Sequence, residues 1–121
     1  MAHRILVVDD EPNILMTLQF ILEEAGFEVA TASDGVKALA VAREMRPSLV
    51  ILDIAMPVKD GFEVCRELKE EENAPRVLML TARGLAIDRK KGFEVGADAF
   101  MAKPFQMSAL LKAIRETLGD G

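Results

Sequence analysis

Short apolar runs alternate with longer amphipathic runs five times along the 121 residues, which leaves few architectures open to the chain. The first, third and fourth apolar runs are continuous, as is typical of strands covered by helices on both faces. We therefore predict an α/β fold in which each strand of a five-stranded parallel sheet is followed by a helix. The predicted strands cover residues 4–8, 27–31, 49–52, 76–80 and 97–102.

The amphipathic runs predict five helices with apolar residues at helical spacing. The second helix begins at a cap, either Ser33 or Asp34, and ends before Pro47. Right-handed crossovers leave few topologies open. We predict the strand order 2-1-3-4-5 of a doubly wound, flavodoxin-like sheet, with residues 1–121 as a single domain. The predicted helices lie near residues 14–25, 34–45, 62–68, 85–95 and 107–118, and the fourth is the least periodic.

Polar side chains follow four of the five predicted strands. Asp9 and Asp10 follow strand 1, Asp53 follows strand 3, Thr81 follows strand 4 and Lys103 follows strand 5. Ligands of open parallel sheets bind beyond the carboxyl ends of the strands. In the predicted order these four strands are neighbours, so we expect their polar ends to converge on one crevice.

Three carboxylates in one crevice predict a bound cation. Asp9, Asp10 and Asp53 would repel one another unless positive charge lies between them. Lys103 supplies one positive charge, and a divalent ion would balance the remaining two. Oxygen ligands favour a hard ion, and a few carboxylates completed by water are typical of Mg²⁺. One histidine and one cysteine are too few for a zinc site.

The same groups suit phosphoryl chemistry. Mg²⁺ bound by one or two carboxylates usually takes phosphate as a further ligand. Lys103 offers a positive charge to phosphoryl oxygens, and Thr81 offers a hydroxyl donor. A carboxylate such as Asp53 can be the nucleophile and form an aspartyl phosphate. Phosphoryl transfer needs mainly positioning and charge neutralisation, which this set provides.

The motifs, taken in their order and spacing, resemble the receiver domains of two-component response regulators. The likeness runs from residues 5–11 (Ile-Leu-Val-Val-Asp-Asp-Glu) to Lys103-Pro104 and the last helix, so it covers nearly the whole chain. Each motif is weak alone, and the ordered set is specific. Between residue 11 and Lys103, the motifs that carry the likeness are Leu52-Asp53, Met56-Pro57, Asp60-Gly61, Leu80-Thr81-Ala82 and Gly96-Ala97-Asp98.

The resemblance implies a phosphoacceptor and a set of metal ligands. Asp53 is the implied phosphoacceptor. Mg²⁺ would be bound directly by Asp10, mostly through water by Asp9, and also by Asp53. The backbone carbonyl of Ala55 would complete the protein ligands, which leaves the side chain at that position free to vary.

The resemblance also implies groups that contact the phosphate and report its arrival. Lys103 and Thr81 would contact the phosphoryl group, and the bond between Lys103 and Pro104 is often cis in this family. Thr81 and Phe100 resemble a switch pair, in which the hydroxyl turns toward the phosphate and the ring moves inward. The contacts that change would lie on helix 4, strand 5 and helix 5, roughly residues 85–118.

The same resemblance implies the partners, whereas composition and sequence layout predict the location. A histidine kinase or phosphotransfer protein would supply the phosphoryl group, and the receiver would catalyse only its own phosphorylation and slow dephosphorylation. Its output would be contact with a downstream protein or output domain, with phosphorylation-dependent dimerisation as one option. A lone cysteine, no signal-peptide layout and no long apolar run predict a cytoplasmic protein that does not enter a membrane. The net charge of −5 argues against direct nucleic-acid binding.

Two functions of other classes compete with this interpretation. A Mg²⁺-dependent phosphohydrolase usually carries a second aspartate two residues after the nucleophile, where this chain has Ala55. A flavodoxin-like electron carrier needs a loop rich in hydroxyls and glycine after strand 1, where residues 9–12 are Asp-Asp-Glu-Pro. The sequence leaves open whether the chain is a stand-alone receiver or part of a longer regulator.

Overall fold

A computed structural model describes residues 3–119 and contains one five-stranded parallel sheet. The strands lie in the order β2-β1-β3-β4-β5, and every neighbouring pair is parallel. The predicted fold class and strand order are therefore confirmed. The strands are β1 (Arg4–Val8), β2 (Glu28–Ala32), β3 (Leu49–Leu52), β4 (Arg76–Thr81) and β5 (Ala99–Ala102).

Five helices cover both faces of the sheet, as continuous apolar strands require. One apolar core lies under α1 and α5, and a second lies on the opposite face under α2, α3 and α4. Among residues 3–119, no helix is both long and apolar enough to cross a membrane. The helices are α1 (Pro12–Glu24), α2 (Gly35–Met45), α3 (Gly61–Lys69), α4 (Ala86–Glu94) and α5 (Met107–Leu118).

The predicted starts of strands 2 and 5 are wrong for one shared reason. The amide of Phe27 donates to the carbonyl of Leu22 at 3.1 Å, and the amide of Ala97 donates to that of Gly92 at 3.0 Å. Both bonds reach back five residues and close the end of the preceding helix, after a glycine with positive φ. Both residues therefore belong to helix ends, and the strands begin at Glu28 and Ala99.

Aspartate side chains fix the starts of two helices. Asp34 caps α2 by accepting a hydrogen bond from the amide of Lys37 at 2.8 Å, which decides between the two predicted caps. Asp60 caps α3 in the same way by accepting from the amide of Glu63 at 3.0 Å. The second cap matters for the site because it sets where α3 begins after the loop that follows β3.

Cys65 is a residue of α3 and packs in the core. The residue is fully buried, and its Sγ lies 3.6 Å from the carbonyl oxygen of Val95. Burial raises the pKa of the Cys65 thiol to about 11. Since the thiolate is the nucleophile, we expect iodoacetamide near neutral pH to leave the folded protein unmodified and to alkylate the urea-unfolded protein rapidly. Equal rates, measured by intact mass, would contradict this burial.

Candidate functional site

The sheet itself fixes the two buried carboxylates of the site. The amide of Asp9 donates to the carbonyl of Ala32 at 3.2 Å, and the amide of Asp53 donates to that of Val8 at 3.0 Å. Each residue thus extends the hydrogen bonding of the sheet one step past the end of its strand. Asp9 is 3% exposed and Asp53 is 5% exposed, so the surrounding backbone holds both side chains at the carboxyl edge.

Each of these carboxylates has one oxygen bound to backbone and one that faces an ammonium group. Oδ1 of Asp53 accepts from the amide of Ile54 at 2.7 Å, and Oδ1 of Asp9 accepts from the amide of Glu11 at 2.9 Å. Oδ2 of Asp9 lies 2.6 Å from Nζ of Lys103, and Oδ2 of Asp53 lies 3.5 Å from the same atom. The second oxygen of Asp53 therefore points toward the Lys103 ammonium group, which lies near both carboxylates.

Lys103 is held in place at the end of β5. Its amide donates to the carbonyl of Thr81 at 2.9 Å, and its peptide bond to Pro104 is cis, as the resemblance implied. The Lys103 side chain is 10% exposed, and its Nζ also lies 3.5 Å from a carboxylate oxygen of Glu11. The ammonium group therefore lies among three carboxylates at the centre of the predicted crevice.

Four acidic side chains meet at this edge of the sheet, one more than the sequence analysis singled out. Asp9, Asp10, Glu11 and Asp53 each offer a carboxylate oxygen, and these oxygens lie within 4.8 Å of one another. Asp10 and Glu11 are exposed, so the cluster opens to solvent on their side. Glu11 was missed, although its place directly after the aspartate pair could have suggested it.

Charge and burial shift two pKa values in the site. Burial is the main cause that raises the pKa of Asp9, and the negative charge of Asp53 adds to it; hydrogen bonds from Lys103 and from the amide of Glu11 oppose it. Burial lowers the pKa of Lys103, but the hydrogen bond to Asp9 and the charges of three carboxylates outweigh it and raise the pKa overall. Lys103 is therefore cationic near neutral pH.

The donor set fits a hard divalent cation. The four clustered acids offer only oxygen atoms, and one ammonium group cannot balance them when all four are ionised. Ala55, whose carbonyl was predicted as a ligand, is an exposed residue in the loop between Asp53 and α3. The predicted metal ligands Asp9, Asp10 and Asp53 therefore lie together, with Glu11 beside them.

The predicted switch residues lie on adjacent strands beside this cluster. Thr81 is the last residue of β4 and is fully buried, and its Oγ1 accepts from the amide of Arg83 at 3.1 Å. Phe100 pairs with Met79 across β4 and β5, so its partly buried ring lies on the same sheet face as Thr81. The ring packs next to Gly92 of α4, where a Cβ would lie 3.3 Å from it.

The sequence as a whole matches a known family. Residues 5–115 match the response regulator receiver domain family. The chain belongs to this family. With the acidic cluster and Lys103 at the predicted edge of the sheet, this receiver is a domain of the kind found in response regulators of two-component systems.

Individual relatives agree with this assignment. The receiver is 45% identical over 117 residues to the alkaline phosphatase synthesis transcriptional regulatory protein PhoP of Bacillus subtilis, covering 94% of this chain and 49% of that protein. It is 42% identical over 118 residues to the DNA-binding response regulator MtrA of Mycolicibacterium smegmatis, covering 98% of this chain and 51% of that protein. The chain spans about half the length of these curated relatives.

A solved structure shows the same fold. The chemotaxis protein CheY4 of Vibrio cholerae superposes with a TM-score of 0.92 at 34% sequence identity, covering 97% of this chain and 99% of that one. CheY4 is therefore matched over almost its whole length, unlike the two longer regulators.

The acidic cluster predicts that Mg²⁺ stabilises the receiver. Magnesium at ten times its Kd would raise the free energy of unfolding by about 1.4 kcal/mol and the melting temperature by roughly 5 °C. Asp10→Asn should remove most of this shift, and Glu44→Gln, at an exposed acid on α2, should leave it intact. The melting temperature is measured by thermal unfolding with and without Mg²⁺. An equal increase in all three proteins would show that the ion binds elsewhere.

The raised pKa of Asp9 predicts how this effect changes with pH. Because the folded pKa lies above the ordinary value of 3.8, the native state binds more protons in the window between them. Without Mg²⁺, this group therefore lowers stability as the pH rises through that window. Protons compete with the metal for Asp9, so the stabilisation by Mg²⁺ should shrink as the pH falls through the raised pKa. A shift independent of pH would contradict metal binding at Asp9.

Proposed function

We propose that this receiver accepts a phosphoryl group on Asp53 in a Mg²⁺-dependent reaction, and that phosphorylation changes the protein contacts of α4, β5 and α5. The observation that carries the proposal is the environment of Asp53. One of its oxygens is bound to the amide of Ile54, and the other lies 3.5 Å from the Lys103 ammonium group within the acidic cluster. A nucleophile, a cationic side chain and candidate metal ligands therefore lie together at the carboxyl edge of the sheet.

The chemistry follows from these positions. Oδ2 of Asp53 attacks the phosphorus of the donor, a new O–P bond forms, and the bond to the leaving group breaks with its electron pair. Lys103 binds the phosphoryl oxygens and offsets their charge, and the Thr81 hydroxyl can donate a hydrogen bond to one of them. Mg²⁺ held by Asp9, Asp10, Asp53 and the Ala55 carbonyl would supply further positive charge there.

The response to phosphorylation begins at Thr81. Its hydroxyl oxygen accepts from the amide of Arg83, a bond that is lost when the hydroxyl turns toward a phosphoryl group. Phe100, on the same sheet face two residues further from the carboxyl edge, then moves inward against α4. The face that would change carries exposed apolar side chains, which suit a protein partner: Leu85, Ile87, Phe93 and Met107.

The phosphodonor in this proposal is a histidine kinase or a phosphotransfer protein. The receiver catalyses its own phosphorylation and slow dephosphorylation and does not turn over a separate substrate. Its output goes to a downstream protein or an attached output domain. The names of PhoP as a transcriptional regulatory protein and of MtrA as a DNA-binding response regulator favour gene control as the final effect. The phosphorelay would operate in the cytoplasm.

Intact-mass spectrometry with acetyl phosphate tests the proposal. We expect one phosphoryl adduct on the wild type with Mg²⁺, none with EDTA, and none on Asp53→Asn under either condition. Asp34→Asn, at the α2 cap, is the matched control and should still form the adduct. An adduct on Asp53→Asn would contradict the proposal. Fast multiple turnover of small phosphate esters, with many equivalents of phosphate released per protein, would favour the phosphohydrolase alternative.

A further inference from the structure

We propose that Asp88 is a positioning residue that holds the loop between β4 and α4 in its resting state through Arg83, and so couples the first turn of α4 to the phosphoryl site. The inference rests on the proposed function of Asp53 and Thr81. It concerns an ion pair that takes no part in binding the metal or the phosphoryl group.

Arg83 makes two contacts that together close this loop. Its backbone amide donates to Oγ1 of Thr81 at 3.1 Å, and its guanidinium donates to Oδ1 of Asp88 at 2.9 Å. One residue therefore binds both the switch hydroxyl and the first turn of α4. The loop conformation in which Thr81 accepts this bond is the one that the ion pair stabilises.

The acidic partner of this pair is buried, although the basic partner is not. The Asp88 carboxylate is 7% exposed, and the Arg83 side chain is 51% exposed. A buried carboxylate that loses its cation must either stay unpaired at a large free-energy cost or move into water. Loss of Arg83 from this position therefore favours movement of the α4 end of the loop.

The first turn of α4 has little else to hold it. Its N-cap, Leu85, makes no side-chain capping hydrogen bond, and Leu85 and Ile87 are exposed. Asp88 and Gly92 are the only buried residues that α4 contributes. Elements with few buried contacts open at low free energy, so a single ion pair can set the position of this turn.

The Arg83 guanidinium also lies near the start of α3. Its Cζ is 5.9 Å from the centre of the Phe62 ring, which is buried and also has Nζ of Lys91 at 4.6 Å. Phe62 directly follows Gly61, whose backbone packs on that of Asp53. The pair thus occupies the junction between α3, α4 and the loop next to the phosphoacceptor.

The expected effect of the pair follows from linkage. A ligand that binds the switched state more tightly must first overcome whatever stabilises the resting state. If the ion pair stabilises the resting loop, neutralising either partner should make a phosphoryl mimic bind more tightly. Because both partners act through one interaction, neutralising the second should add nothing.

The test is a double-mutant cycle with beryllofluoride and Mg²⁺ as the probe. The proteins are wild type, Arg83→Gln, Asp88→Asn and the double variant, with Lys90→Ala on the same helix as the control. The apparent Kd is measured by NMR titration, and urea unfolding verifies that each variant is folded. We expect each single variant and the double variant to bind about fivefold more tightly than wild type, and Lys90→Ala to be unchanged.

Other outcomes overturn the inference. Unchanged affinity in both single variants would show that the pair does not restrain the loop. Weaker binding by Arg83→Gln would mean that Arg83 serves the phosphoryl group directly, and effects that multiply in the double variant would mean that the two residues act separately. If the wild type bound no beryllofluoride, the proposed function would fail together with this inference, so the two failures are distinguishable.

Discussion

Replacing Lys103 with methionine will slow the phosphorylation of Asp53 by acetyl phosphate about a hundredfold to a thousandfold, the usual effect of losing one charge-stabilising donor from an active site. The Lys103 ammonium is 2.6 Å from Asp9 and 3.5 Å from Asp53 and Glu11. Methionine has a similar length and no charge, so the phosphoryl oxygens lose this cation. The rate of adduct formation measured by intact mass gives the effect directly.

The same variant should lose stability in a pH-dependent manner. Without Lys103, Asp9 loses a hydrogen bond that lowers its pKa. The pKa of Asp9 therefore rises further above the ordinary value of 3.8. The native state then binds more protons below that raised pKa, and the loss of stability grows as the pH rises through it. Near neutral pH we expect the free energy of unfolding, measured with urea in the absence of metal, to fall by about 3 kcal/mol.

Lys103→Arg separates charge from shape. It should retain most of the stability but not the rate, because a planar guanidinium is a poor substitute for a compact ammonium group in a site with this little exposure. If Lys103→Met were phosphorylated at the wild-type rate, Lys103 would have no role in the reaction.

Gly61→Ala is expected to destabilise the receiver by about 3 kcal/mol and to slow phosphorylation as well. A Cβ on Gly61 would overlap the carbonyl oxygen of Asp53 and would lie 2.8 Å from Cα of Ile54. These neighbours are backbone atoms, so they cannot rotate out of the way. Relieving the contact must shift the chain that positions the Asp53 carboxylate.

Gly84→Ala is the matched control for this variant. A Cβ on Gly84 would meet only the Cβ of Ala102, at 3.2 Å, and a shift of a few tenths of an ångström would relieve that contact. We expect it to change stability by less than about 1 kcal/mol. If the two variants unfold at the same urea concentration and form the adduct at the same rate, the close approach of Gly61 does not position Asp53.

The sequence predicted the fold well because the pattern of buried residues follows strand and helix periods closely. Continuous apolar runs at 49–52 and 77–80 indicated strands covered on both faces, and both belong to interior strands of the sheet. The errors fell at element ends. The amides of Phe27 and Ala97 bond back to the preceding helix, and apolar patterning does not reveal these local helix-closing bonds.

The location of the candidate site was also accessible from the sequence, because a parallel sheet gathers the residues that follow its strands. Asp9, Asp53 and Lys103 lie together for that reason alone. The contacts that hold these side chains in place could not be predicted from the sequence. The packing of Gly61 on the Asp53 backbone and the pairing of Arg83 with Asp88 depend on how loops fold over the sheet.

Borohydride reduction followed by peptide mapping tests whether Asp53 carries the phosphoryl group. Borohydride converts an aspartyl phosphate to homoserine, which marks the modified residue permanently. Trypsin releases Asp53 in the peptide of residues 44–59, where it is the only aspartate, and leaves Asp9 and Asp10 in another peptide. After treatment with acetyl phosphate and Mg²⁺, we expect homoserine at position 53 alone. Homoserine at position 9 or 10, or at no position despite a phosphoryl adduct on the intact protein, would contradict the account.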